Sequence, residues 1–138
     1  VLEIDRHHQK NNTPATPPVS LMYAADRQLD DILAEGLDAL FARHEKMAAM
    51  TRDWVRRAGF EMFSEEGYHS PTVSNVANTR SIDIAALNAF LRERGMVISN
   101  GYGKLKGKAF RIAHMGDTQP EDLEALFAAM DEFMAQQA

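Results

Sequence analysis

Residues 96–116, MVISNGYGKLKGKAFRIAHMG, constrain the chain most, because two short apolar runs are joined there through a glycine- and lysine-rich hairpin. The first run, Met96-Val97-Ile98-Ser99, and the second, residues 109–115, have strand length and are bounded by turn residues at Asn100-Gly101 and at Gly116. The rest of the chain reads as support for that ribbon. Alternation in the second run sends Phe110, Ile112 and His114 to one face and Arg111, Ala113 and Met115 to the other. Arg111 therefore sits on a mostly apolar face. Arginine is rarely fully buried without a partner, so two readings are open: its stem packs while the guanidinium reaches solvent, or a carboxylate meets it. Residue physics alone favours the first.

A length of 138 residues suits one domain with enough bulk for a core. The net charge of −5 gives no basic field, so neither nucleic acid nor an anionic membrane is expected as a partner. Cysteine is absent, which excludes disulfides, thiolate zinc sites and a cysteine nucleophile, and fits a cytoplasmic location. No apolar run reaches ~18 residues and no signal-peptide pattern is visible, so membrane insertion and export are not expected.

In chain order, VLEID alternates weakly, RHHQKNN is wholly polar, and TPATPP (residues 13–18) carries three of the five prolines. This is a connector. Proline restrains the residue before it, so Thr13 and Thr16 are held extended, with Thr16 a candidate N-cap and Pro17 at the first helical position. TPATPP reads first as a rigid entry loop; hydroxyls beside a helix N-terminus also suit an anion.

From Val19 the apolar spacing is helical as far as Gly36. A stronger stripe follows through Leu37, Leu40, Phe41, His44, Met47, Thr51, Trp54 and Val55 to Gly59, which predicts an amphipathic helix of ~33 Å with His44 buried and hydrogen-bonded. Its methionines and Trp54 read as packing. GFEMFS (59–64) and PTVSNV (71–76) read as strands. Asp83 can cap the next helix, with Ile82 and Leu87 placed as a hydrophobic staple. Thr118 and Glu121 match a capping box ahead of a last stripe, Leu123 to Phe133. The order predicts an α+β fold: a small, largely antiparallel sheet with helices packed on one side.

Several motifs fail. Only three residues separate Gly103 from Gly107 where a phosphate loop needs four, and Ala109 follows Lys108 where that loop needs Ser or Thr. His7 and His8 are adjacent rather than one helical turn apart, so no metal site is expected. Paired acids such as Glu65-Glu66 fall in turns and do not identify an acid and a base.

Four separated motifs carry a resemblance. NNTPATPPVSLMYA (11–24), AEGL (34–37), SPTV (70–73) and ISNGYGKLKGKAFRIAHMG (98–116) together resemble class V aminotransferases of the alanine–glyoxylate and serine–pyruvate group. The resemblance covers nearly the whole chain. It implies a fold type I enzyme using pyridoxal 5'-phosphate, with the lysine that carries the cofactor upstream in a large domain. Residues 1–15 then match a crossover segment and residues 16–138 the C-terminal small domain with its long interdomain helix. Arg111 matches the family arginine that holds the substrate α-carboxylate, and the clamp reading overtakes the solvent-reaching one. Thr16, Thr13 and Asn12 match the segment that reaches the cofactor phosphate of a neighbouring subunit, which implies a homodimer. None of Lys10, Lys104, Lys106 and Lys108 matches the cofactor lysine, so no catalytic residue is assigned in this chain and the chain alone is expected to be inactive. The implied substrates are small amino acids, alanine or serine, and 2-oxo acids, glyoxylate or pyruvate. Two other readings stand beside it: a free-standing, non-enzymatic α+β binding domain, or a class V relative such as a cysteine desulfurase.

Overall fold

A computed structural model describes residues 2–137. In chain order the elements are α1 (Leu2–His8), α2 (Val19–Glu35), α3 (Leu37–Arg57), β1 (Glu61–Met62), β2 (Val73–Ala77), α4 (Ile84–Arg92), β3 (Ser99–Asn100), a 3-10 turn (Gly103–Leu105), β4 (Ala109–Ala113) and α5 (Pro120–Gln136). The chain divides into two units between Leu37 and Asp38.

In the first unit, α1 corrects the reading of this stretch as a connector whose first residues alternate weakly; Val1 itself lies outside the described residues. Glu3 and Asp5 fall in its first turn and Arg6, His7 and His8 in its last, an order that complements the helix dipole at both ends. Helix α2 starts two residues later than Thr16 as N-cap would require. Proline disfavours helical geometry in the residue before it, so Pro17 holds Thr16 extended and Pro18 does the same to Pro17. Pro18 is therefore the N-cap, without a side-chain capping bond. The apolar stripe of α2 includes Leu21, Met22, Tyr23, Leu29 and Leu33, all exposed, and none of its residues is buried.

The second unit holds a four-stranded sheet in the order β1-β2-β4-β3, antiparallel at every pairing. Ser74 pairs with Ile112 and Val76 with Phe110, and all four are buried. Phe110 and Ile112 join Trp54 of α3, Leu87 of α4, and Phe127 and Met130 of α5 in one core. Arg111 and Ala113, on the other face, remain partly or fully exposed. The alternation read from the sequence is the observed one, and the α+β class stands.

Local chemistry sets the boundaries. The Asp83 side chain accepts from the backbone N–H of Ala85 and Ala86, so the expected cap of α4 is formed. The capping box of α5 lies one residue beyond the expected Thr118 and Glu121: Gln119 is the N-cap and Asp122 its reciprocal partner. Pro120 is the cause, because it occupies the first helical position and favours the extended φ −109°, ψ 159° seen at Gln119. The first run of the ribbon forms a strand only at Ser99–Asn100. Upstream, Met96 N–H donates to Leu91 O and Ile98 N–H to Asn88 Oδ1, so these groups serve the end of α4 rather than the sheet.

Candidate anion-binding site

Arg111 lies in the middle of β4, an interior strand, paired with Asn75 on one side and Ser99 on the other. Cross-strand partners project to the same face, so Asn75, Arg111 and Ser99 form a polar row on the side of the sheet opposite the core. The guanidinium is half-buried. Nη2 donates to Asn100 O over a long 3.4 Å, while Nε is buried and has no hydrogen-bond partner among the described residues. The guanidinium carbon stands 5.6 Å from the centre of the Tyr102 ring, within cation–π range. Among the described residues no carboxylate forms an ion pair with Arg111. A depression of about 430 Å³ opens there, lined by Ser99, Tyr102, Lys106 and Arg111 among others.

The arrangement keeps a planar cation on a mostly apolar strand with most of its donors uncommitted. Such a fork can receive a carboxylate through two parallel hydrogen bonds, and Lys106 adds positive charge to the same depression.

The other expected site residues lie in the first unit. Thr13 Oγ1 donates to Ala15 O at 2.6 Å, and Asn12 Oδ1 is 2.7 Å from His7 Nδ1, so both are partly committed within the loop. Thr16 is exposed and has no side-chain hydrogen bond among the described residues. Asn12, Thr13 and Thr16 thus share one exposed stretch at the entrance to α2, whereas Arg111 belongs to the second unit.

Sequence reasoning did not assign Asn100, Tyr102, Asn75 or Ser99 to the site. The available signal was the Asn100-Gly101 pair, which reads as a turn but does not reveal what the turn holds.

Behind the sheet His114 is fully buried, with Nε2 3.0 Å from Ser74 Oγ and Nδ1 without a hydrogen-bond partner. His44 on α3 is only half-buried, and its Nε2, contrary to the expected hydrogen bond, has no partner. An amphipathic stripe predicts which way a side chain points but not whether an acceptor waits there. Burial pushes the His114 pKa below its ordinary 6.5, and the charges of Arg52 and His44 push it the same way, against the opposing pull of backbone carbonyls. A folded pKa below the unfolded one means that the unfolded chain binds the proton first. Stability should therefore be unaffected above the unfolded pKa, fall as pH drops below about 6.5, and level off once the folded pKa is passed. Urea midpoints measured from pH 8 to pH 5 should show that decline, and His114→Gln should flatten it. An equally steep decline in the variant would assign it to other groups.

No family model matches the chain. It is 33% identical over 126 residues to an uncharacterized aminotransferase of Methanocaldococcus jannaschii, covering 91% of this chain and 33% of that protein. It is 38% identical over 107 residues to a pyridoxamine–pyruvate transaminase of Mesorhizobium japonicum, covering 76% and 27%. Among solved structures, an alanine–glyoxylate aminotransferase from Nostoc sp. superposes with a TM-score of 0.77 at 28% identity, over 87% of this chain and 32% of the other. It is also 30% identical over 128 residues to a protein of Synechococcus named the small subunit of a soluble hydrogenase, covering 92% of this chain and 33% of that protein. The chain spans about a third of the length of the curated relatives it matches. On these matches the chain belongs to the class V aminotransferases, over the third of their length that it spans.

Proposed function

We propose that the chain is the substrate-carboxylate-binding part of a pyridoxal-phosphate-dependent aminotransferase that moves an amino group between alanine or serine and glyoxylate or pyruvate. The observation that carries the reading is Arg111, a guanidinium on an apolar strand that, among the described residues, has its Nε unpartnered and one long hydrogen bond. Its two-pronged edge orients the α-carboxylate common to donor and acceptor, so the same seat serves both halves of an amino exchange.

Pyridoxal phosphate supplies the electron sink for this chemistry when bound. The residues here fit a share of its phosphate. The Thr16 hydroxyl and the Asn12 amide group can still donate, while the Thr13 hydroxyl already donates to Ala15 O. In this reading Thr16, with Asn12 and Thr13 as lesser contacts, reaches the cofactor phosphate across a cytoplasmic homodimer. Residues 1–15 form the crossover and residues 16–138 the small domain. No catalytic residue falls in this chain, so turnover requires the cofactor-carrying lysine from the remaining length of its relatives.

The test is amino transfer by the full-length protein, supplied with cofactor and with alanine or serine paired against glyoxylate or pyruvate. Formation of the matching 2-oxo acid supports the reading. Binding of cofactor with sulfur release from cysteine, and no amino transfer, would favour the desulfurase alternative.

A further inference from the structure

Contacts around Arg111 converge on Asn100. Its Oδ1 accepts from Gly101 N–H at 2.8 Å and from Gly107 N–H at 2.9 Å, tying the two ends of the 101–107 loop to one side chain. Its main-chain carbonyl accepts from Arg111 Nη2. The loop has little freedom to shift at this point. Gly101 N–H also donates to Ala109 O at 2.8 Å, and a Cβ on Gly101 would stand 2.1 Å from Leu105 O, so only glycine fits. The far end is tied independently, since Asn78 Nδ2 donates to Gly107 O and to Ile82 O, each at 2.9 Å.

We propose that Asn100 is a positioning residue for Arg111: its side chain holds the 101–107 loop closed, so that its own carbonyl and the Tyr102 ring fix the orientation of the guanidinium. Arginine has many rotamers, and a single 3.4 Å hydrogen bond is a weak restraint on them. The Tyr102 ring adds a second restraint, and Tyr102 belongs to the loop that Asn100 closes. Without that closure the guanidinium samples orientations in which it cannot meet both carboxylate oxygens. Substrate binding must then restore the order that the loop supplied. This inference rests on the reading of Arg111 as the carboxylate seat.

The experiment compares Asn100→Ala, Asn100→Asp and Arg111→Ala in the full-length holoenzyme, with alanine and pyruvate as the probes. Asn100→Ala should raise KM for both about tenfold, leave kcat within about twofold and leave the cofactor absorbance unchanged, because misplacement weakens binding before it touches chemistry. Asn100→Asp keeps an acceptor for both loop N–H groups and should recover most of the loss. Should Asn100→Ala fail to fold, Asn100→Ser, whose hydroxyl reaches one N–H group, must show the same KM-only rise in smaller measure. Unchanged KM in the Asn100 variants, with a large rise in Arg111→Ala, overturns the positioning role and leaves the seat intact. A fall in kcat and thermal stability together, not recovered by aspartate, makes Asn100 a structural residue only and also overturns it. If Arg111→Ala itself leaves KM and kcat/KM unchanged, the seat is elsewhere and both readings fail.

Discussion

Arg111→Ala in the full-length protein should lower kcat/KM for a carboxylate substrate roughly a hundredfold or more, since leaving a desolvated charge unpaired costs about 2–5 kcal/mol. The loss should fall on the substrate and not on the cofactor, because the proposed phosphate contacts, Thr16, Thr13 and Asn12, belong to the other unit. Arg111→Lys should recover only part of it: an ammonium keeps the charge but not the planar fork. The informative comparison is between alanine and a simple amine lacking the carboxylate. The first should be penalised by the mutation and the second spared. Equal losses on both, accompanied by a lower melting temperature, would make Arg111 a structural residue of the sheet.

The largest effect on folding should come from Trp54→Ala. Trp54 is 1% exposed, lies parallel to Phe127 with ring centroids 5.0 Å apart, and tilts against Phe60 at 5.8 Å. Its Nε1 donates to Asp131 Oδ1 at 2.9 Å, tying α3 to α5. Truncating a buried aromatic to alanine costs about 3–5 kcal/mol, a large part of the ~5–15 kcal/mol that holds a typical domain folded. A denaturant titration should show a midpoint lowered accordingly. Trp54→Phe keeps most of the packing and loses the hydrogen bond, so it should cost only about 1–2 kcal/mol, the larger part from the smaller ring. A Trp54→Ala loss below about 1 kcal/mol would mean that the α3–α5 seam does not carry the core.

What the sequence made legible follows from which interactions leave a residue pattern. Strand β4 was readable because Phe110, Ile112 and His114 alternate with Arg111 and Ala113, and burial follows that period. Asp83 was readable because an acid immediately before an apolar stripe has a local job, and it does that job. The cap errors were small and share a physical origin: Pro18 and Pro120 move a helix start by constraining the residue in front, which side-chain identity at Thr16 or Thr118 does not reveal. Helix α1 escaped notice because seven residues with little apolar spacing give no helical signal beyond the order of their charges. The placement of Arg111 on the face opposite the core was accessible through alternation, but its contact with Asn100 was not. Asn100 meets Arg111 through its main-chain carbonyl, which every residue has, so nothing in its identity marks that contact.

Strand β4 is bonded along both edges, whereas β1 and β3 are two-residue margins. The amide protons near Arg111 should therefore be among the slowest to exchange in the second unit, released when the sheet separates as a whole. Those at the tip of the 101–107 loop should exchange sooner, through local openings that leave the sheet intact. The strand that carries the guanidinium should thus open only with the fold as a whole, which makes the seat as durable as the second unit itself.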